Sequence, residues 1–229
     1  MKSIKSIIPY IFSISLIYFL FVFSFYAVLY FDNNFLLNLF DKFKVYENLP
    51  FKLSMEDANN IATELMDYLR GARNFLETII NINGETKELY SLTAKIHMAD
   101  VRNIFMINIK CHYFSLSIAI LCLLFCIRHD INIEQLFKSY KNTFVVLSIF
   151  IIIILAYASI DFNSFFMDFH KILFTNDYYL FNPNVDYIIL MLPEDLFQYI
   201  GFLVMSLFIG LNIFSILILY LLARTQHRP

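Results

Sequence analysis

Tryptophan is absent from the 229 residues, glycine occurs four times, proline five times and cysteine three times, and only 16% of residues are charged. Each shortage excludes something. So little charge, against 59% hydrophobic residues, excludes an ordinary soluble domain and points to a polytopic membrane protein. No glycine-rich phosphate loop appears. Cys111, Cys122 and Cys126 all lie in or at one apolar segment, so they imply no disulfide framework and read as small packing residues, two of them one helical turn apart. Without tryptophan, an interfacial aromatic belt must come from the 15 Tyr and 27 Phe. No basic run suggests nucleic acid, and a net charge of -2 says nothing about partners.

Four segments approach the ~20 apolar residues needed to cross a hydrocarbon core of ~30 Å. They run over 6–30, from near 104 to 127, over 144–160 and over 196–222. The first follows Lys2 and Lys5, but its apolar run is too long for a signal peptide and no small-residue cleavage site follows, so it reads as an uncleaved anchor. Basic residues in short loops set orientation. Lys2 and Lys5 precede the first span; Arg128, Lys138 and Lys141 join the second to the third; Arg224 and Arg228 follow the fourth. The loop between spans three and four holds Lys171 against Asp161, Asp168, Asp177, Asp186, Glu194 and Asp195. Both termini are therefore expected in the cytoplasm. The predicted fold is an all-α polytopic membrane protein, four transmembrane helices with an extracellular cap formed by the two outer loops. Its parts are 1–31 (N-terminus and helix 1), 32–103 (first cap segment), 104–127 (helix 2), 128–143 (cytoplasmic loop), 144–160 (helix 3), 161–195 (second cap segment), 196–223 (helix 4) and 224–229 (cytoplasmic tail).

The first outer loop carries local signals. Ser54 and Asp57 resemble a capping box, Ile61, Leu65, Tyr68 and Leu69 recur at helical spacing, and Gly71 can end that helix. Residues 75–82 and 85–92 flank Asn83-Gly84, which reads as a hairpin or as one irregular loop. From Leu92 the pattern is helical to Arg128, ~55 Å at 1.5 Å per residue. That exceeds a bilayer, so its first turns, with His97, stand outside. His97 and Asp100 share a face. In the second loop, Asn163-Ser164 is expected to turn the chain, and Phe165, Phe166, Phe169 and Phe174 flank His170 on the membrane surface. Asn182-Pro183 is a turn signal, and Pro193 opens span four with Glu194 and Asp195 in its first turn. Ser206 and Gly210 form a small-residue pair that reads as helix packing.

His129 and His227 fall on the cytoplasmic side as solvated residues, and His112 lies within span two, able to face a polar cavity. His97 and His170 come from separate outer loops near one membrane face. No serine elbow, Cys–His pairing or two-histidine protease motif appears. A zinc site built from His97, His170 and one of Asp100, Asp168 or Asp186 is one reading. General acid–base chemistry by two histidines is the simpler one.

"DYLRG" at Asp67–Gly71, "HMADV" at His97–Val101 and "FHKILFTNDYYLFNPNVDYIILMLPEDLF" from Phe169 onward resemble the lipoprotein intramolecular transacylase (Lit) family of small bacterial membrane proteins, over nearly the whole chain. The chain departs from the family's habit at Ala94, often Glu there, and at Tyr179, often Trp. The resemblance implies the four-helix fold with its cap and a location in the bacterial cell membrane. It implies a diacylglyceryl-cysteine lipoprotein substrate and transfer of its sn-2 acyl chain to the cysteine α-amino group, giving a lyso-form lipoprotein. It makes His97 and His170 the catalytic pair, with no metal or other cofactor. Arg102 and Arg70 are candidates to bind a backbone carbonyl or a lipid phosphate, or are snorkelling and salt-bridging residues. Tyr68, Tyr178 and Tyr179 shape the pocket or anchor the cap, and Asp100 orients His97 or caps locally. Membrane lipid is the other expected partner, with the site on the extracellular side. The rival readings are a metal-dependent membrane hydrolase and a non-enzymatic lipid-binding membrane protein.

Overall fold

The computed structural model describes residues 2–82 and 84–226; Asn83, His227 and Arg228 lie outside them. Among the described residues four helices are long and apolar enough to cross a membrane: Lys5–Tyr30, Leu92–Arg128, Ile133–Ile160 and Glu194–Thr225. In chain order the elements are α1 (Lys2–Tyr30), α2 (Phe35–Lys42), α3 (Val45–Asn48), α4 (Met55–Leu69), β1 (Ile79–Ile82), β2 (Glu85–Glu88), α5 (Leu92–Arg128), α6 (Ile133–Ile160), α7 (Phe162–Leu173), α8 (Ile188–Met191) and α9 (Glu194–Gln226). They divide into two compact units. One comprises Met1–Tyr26, Ile109–Ile160 and Phe202–Pro229; the other comprises Ala27–Asn108 and Asp161–Gly201.

The first unit is built from the apolar parts of α1, α5, α6 and α9. Its core joins Phe12, Ile17, Ala119, Cys122, Cys126, Leu136, Tyr140, Phe144 and Phe208. Cys122 and Cys126 are buried and unpaired, as packing residues should be. In so apolar a setting every polar group needs a local partner. Tyr140 donates to Asn212 Oδ1 at 2.7 Å, and the Asn212 amide donates to the Phe208 carbonyl at 2.8 Å. The Ser13 hydroxyl donates to the Pro9 carbonyl and Ser24 to that of Leu20, each one turn back. His112 lies flat on Phe19, ring centroids 4.3 Å apart, rather than in a polar cavity. Two expectations change. Helix α6 starts at Ile133, because Leu136, Tyr140 and Phe144 recur one turn apart and are buried, so most of the stretch expected as a loop is helical. Ser206 and Gly210 are exposed, and it is Val204, Phe208 and Asn212 that α9 buries.

The second unit is mixed. Ser54 caps α4 by accepting the Asp57 N–H at 3.0 Å and donating to the Asp57 carboxylate at 2.7 Å. Ile61, Leu65, Tyr68 and Leu69 form its buried stripe. Gly71, at φ 82°, ends it, its N–H on the Tyr68 carbonyl at 3.1 Å. Strands β1 and β2 pair antiparallel with Ile82 opposite Glu85, and Asn81 Oδ1 accepts the Gly84 N–H at 2.8 Å. The ribbon is shorter than the sequence suggested, since Ser91 accepts the Ala94 N–H at 3.0 Å and starts α5. A larger correction concerns α7. Asp161 accepts the Ser164 N–H at 3.0 Å, so Asn163-Ser164 opens a helix of 12 residues instead of a turn. Asn163 then reaches Glu194 Oε1, at 2.6 Å, in the first turn of α9. Asn182-Pro183 does turn, the Asn182 carbonyl accepting the Val185 N–H at 2.9 Å and the Asp186 N–H at 2.7 Å.

Candidate active site

Helix α7 is one-sided. Phe162, Phe165, Phe166, Phe169, Ile172 and Leu173 share a face, Asp168 and Lys171 pair on the other at 3.0 Å, and His170 stands at the border. His97, in the second turn of α5, is 5% exposed. The two imidazole centroids are 5.7 Å apart with the rings tilted by 31°. Aromatic side chains from the connection after α7 close around them. Phe174, Phe181 and Tyr179 lie 4.9, 5.4 and 6.5 Å from His97, and Tyr179 lies 5.1 Å from His170. Phe166 packs on the far side of His170 at 4.4 Å.

Burial sets the charge of the pair. His97 precedes the segment 104–127 read as crossing the membrane. Its proton affinity is pulled down to about 4, chiefly by burial and then by neighbouring His170, with Asp100 opposing. Burial also lowers His170, against the pull of the Phe166 carbonyl. Both rings are therefore neutral near pH 7. His170 Nδ1 lies 2.6 Å from the Phe166 carbonyl oxygen. A carbonyl only accepts, so Nδ1 carries the hydrogen and Nε2 keeps a free lone pair. His97 Nδ1 is buried with no hydrogen-bond partner among the described residues. Two neutral imidazoles this far apart can both reach one reacting group held between them.

The other expected site residues divide. Asp100 does not hold the His97 ring by a hydrogen bond; it accepts the Asn176 amide at 2.9 Å. Arg102 lies over Tyr68, Cζ 5.0 Å from the ring centroid, with its Nε buried and without a hydrogen-bond partner among the described residues. Burial raises the Tyr68 phenol, Arg102 working against that and Asp100 with it. Arg70 is exposed and paired with Asp67. Tyr178 is exposed beside Tyr179, its N–H on Asn176 Oδ1 at 3.2 Å. The carboxylates of the zinc reading go elsewhere: Asp168 to Lys171, and Asp186 to Ser91 and the Asn182 N–H. Among the described residues no three His, Cys, Asp or Glu side chains group as a metal site. Sequence reasoning missed Asn176, Phe181 and Ser91. Nothing in their spacing ties them to His97 or Asp100; only the folded connection does.

The profile of the family described as lipoprotein intramolecular transacylase Lit matches residues 10–197. The chain belongs to the Lit family. Lit proteins are membrane acyltransferases, and the matched range takes in both histidines. The fold is that of the membrane-integral Lit of Bacillus cereus, 23% identical, with a TM-score of 0.81 and 99% of each chain covered. Two variants of that protein with one histidine replaced give the same picture at 21% identity. The alanine variant has a TM-score of 0.75, covering 98% of this chain and 96% of that one; the arginine variant has 0.74, with 98% and 94%. No curated protein sequence matches significantly. This Lit-family chain is a multi-pass membrane protein.

Proposed function

We propose that His97 and His170 move the sn-2 acyl chain of a diacylglyceryl-cysteine lipoprotein to the α-amino group of the same cysteine. The observation that carries the reading is the convergence of two neutral imidazoles, His97 buried and His170 half-buried, 5.7 Å apart from separate helices. Replacement of a histidine in both Bacillus cereus variant structures is consistent with it. The attacking amine and the ester sit in one molecule, but the ring closed by attack is of a reluctant medium size. Positioning can contribute up to ~7–11 kcal/mol to such a step, and the aromatic wall of Phe174, Tyr179 and Phe181 provides it. His170, with its Nε2 lone pair free, takes the proton of an amine whose ordinary pKa is ~8 and returns it to the departing glycerol oxygen. His97, neutral, donates to the oxyanion. One N–C bond forms, one C–O bond breaks, and the amine proton ends on the glycerol hydroxyl. Ester to amide is downhill, so the step draws on no energy source.

Arg102, with Tyr68, is the proposed contact for a peptide carbonyl of the lipoprotein, and Tyr179 shapes the pocket. Arg70 and Tyr178 serve at its rim. Asp100 acts through Asn176 rather than on substrate. The lipid neighbours, the cytoplasmic termini and an extracellular site follow from the distribution of basic residues in the short loops. The test is tandem mass spectrometry of a synthetic diacylglyceryl lipopeptide incubated with the purified protein in detergent. The reaction is an isomerisation, so intact mass is unchanged and fragmentation locates the chain. N-acyl fragments are expected with the wild type and fall ~10²–10⁴-fold with His97→Ala or His170→Ala. An unmoved acyl chain with the wild type overturns the proposal.

A further inference from the structure

The connection from Phe174 to Tyr187 is fastened to α5 at two points, one on each side of His97. At one end Asn176 donates to Asp100 Oδ2 at 2.9 Å. At the other, Ser91, just ahead of α5, donates to the carboxylate of Asp186 and accepts the Ala94 N–H at 3.0 Å. Asp186 is 5% exposed and also accepts the Asn182 N–H at 2.8 Å, so its carboxylate is held by hydroxyl and backbone together. Ser91 and Asp100 are ~13 Å apart along the helix axis, and His97 lies between them. The chain between the fasteners carries Tyr179 and Phe181, and Phe174 stands just ahead of Asn176. All three pack on His97.

Resting on the transacylase reading, we infer that this strap, held by Asn176–Asp100 and Ser91–Asp186, decides whether the acyl group goes to the amine or to water. A neutral imidazole that can deprotonate an ammonium can equally activate a water molecule. With water as nucleophile, an O–C bond forms in place of the N–C bond, the same ester C–O bond breaks, and a free fatty acid leaves with the amine unmodified. Excluding water suppresses that side reaction, and an aromatic strap pinned at both ends is a means of doing so. Asn176 and Ser91 are positioning residues: they touch no reacting atom and act through the rings they hold in place.

The experiment incubates the purified full-length protein with the synthetic diacylglyceryl lipopeptide in oxygen-18 water. It measures N-acyl lipopeptide and labelled free fatty acid together. The wild type is expected to give N-acyl product with little labelled acid. Asn176→Ala should raise the hydrolysed share about tenfold, the effect of losing one charge-assisted hydrogen bond. The reciprocal exchange Asp100→Asn with Asn176→Asp, which rebuilds an N–H···O contact between the same positions, should return it toward the wild-type value. A structural defect alone would lower both products together and would not be repaired in ratio. Where the alanine variant loses its thermal transition, Asn176→Ser takes its place. A folded Asn176 variant that keeps the wild-type ratio, with the wild type active, overturns the strap and leaves the transacylase standing. A wild type that forms no N-acyl product overturns both.

Discussion

Acidification probes the buried imidazole directly. In the folded chain His97 gives up its proton at about 4, because burial first and His170 second disfavour its charged form. In the unfolded chain it titrates near ~6.5. Between those values the unfolded state binds the extra proton. The stabilisation from His97 is therefore complete above pH ~6.5 and is lost as pH falls through the folded value. The gap of about 2.5 pH units corresponds to roughly 3 kcal/mol, and at 5% exposure solvent screening reduces it little. The assay is unfolding of the purified protein in detergent across that window, for the wild type and for His97→Asn. Carboxylates titrate in both, so the difference between the two curves isolates the imidazole, apart from any change at His170. The wild type should lose roughly 3 kcal/mol more than the variant between pH ~6.5 and ~4. Parallel curves would refute the buried neutral histidine. A wild type that gains on acidification relative to the variant would mean that Asp100 outweighs burial and His170 and holds His97 as a cation.

Two other outcomes follow from single contacts. Ser54→Ala removes the acceptor of the Asp57 N–H, and thermal unfolding should show a loss of ~1 kcal/mol with the histidine chemistry intact. Arg102→Ala should raise KM for the lipopeptide and leave kcat within a few-fold, since Arg102 touches Tyr68 rather than the imidazoles, whereas Arg102→Lys, lacking the planar fork, should rescue only in part.

Features that depend on a few neighbouring residues were legible in the sequence. The Ser54 cap, the Gly71 stop, the helical start at Leu92 and the Asn182-Pro183 turn are local, and they stand in the structure where they were read. The four long apolar helices were legible because length and hydropathy suffice for them. Helix α7 was missed because Asn163-Ser164 has turn chemistry, and Asp161 uses that chemistry to cap a helix instead. Helix α6 was begun too late because attention to apolar runs passes over an amphipathic first stretch whose buried positions come once per turn. In the site, His97 and His170 were legible as titratable groups with few rivals. Their separation was not, nor was the role of Asp100. The spacing of Asp100 from His97 suggested an orienting pair, but a partner 76 residues away takes its carboxylate. Only tertiary structure decides between two acceptable hydrogen bonds for one side chain.

The shortage of charge that defines this chain also sets the chemistry of its site. An imidazole paired directly with a carboxylate would be held as a cation, and a cation cannot take a proton from an amine. Here three candidate carboxylates have other partners: Asp100 an amide, Asp186 a hydroxyl and a backbone N–H, Asp168 the ammonium of Lys171. What faces the rings is mostly phenyl and phenol. Both histidines thus remain neutral across the range in which a substrate amine of pKa ~8 begins to lose its proton. In the proposed reaction the same apolar lining would accept acyl chains and keep water away. His170 sits where the phenylalanine face of α7 gives way to its polar face, and His97 sits on a helix that runs on into the apolar segment 104–127. A diacylglyceryl cysteine has the same division, with chains on one side, peptide on the other and the ester and amine at the junction. In the proposed reaction, the match between that junction and the two imidazoles is what would allow proton-transfer chemistry on a lipid.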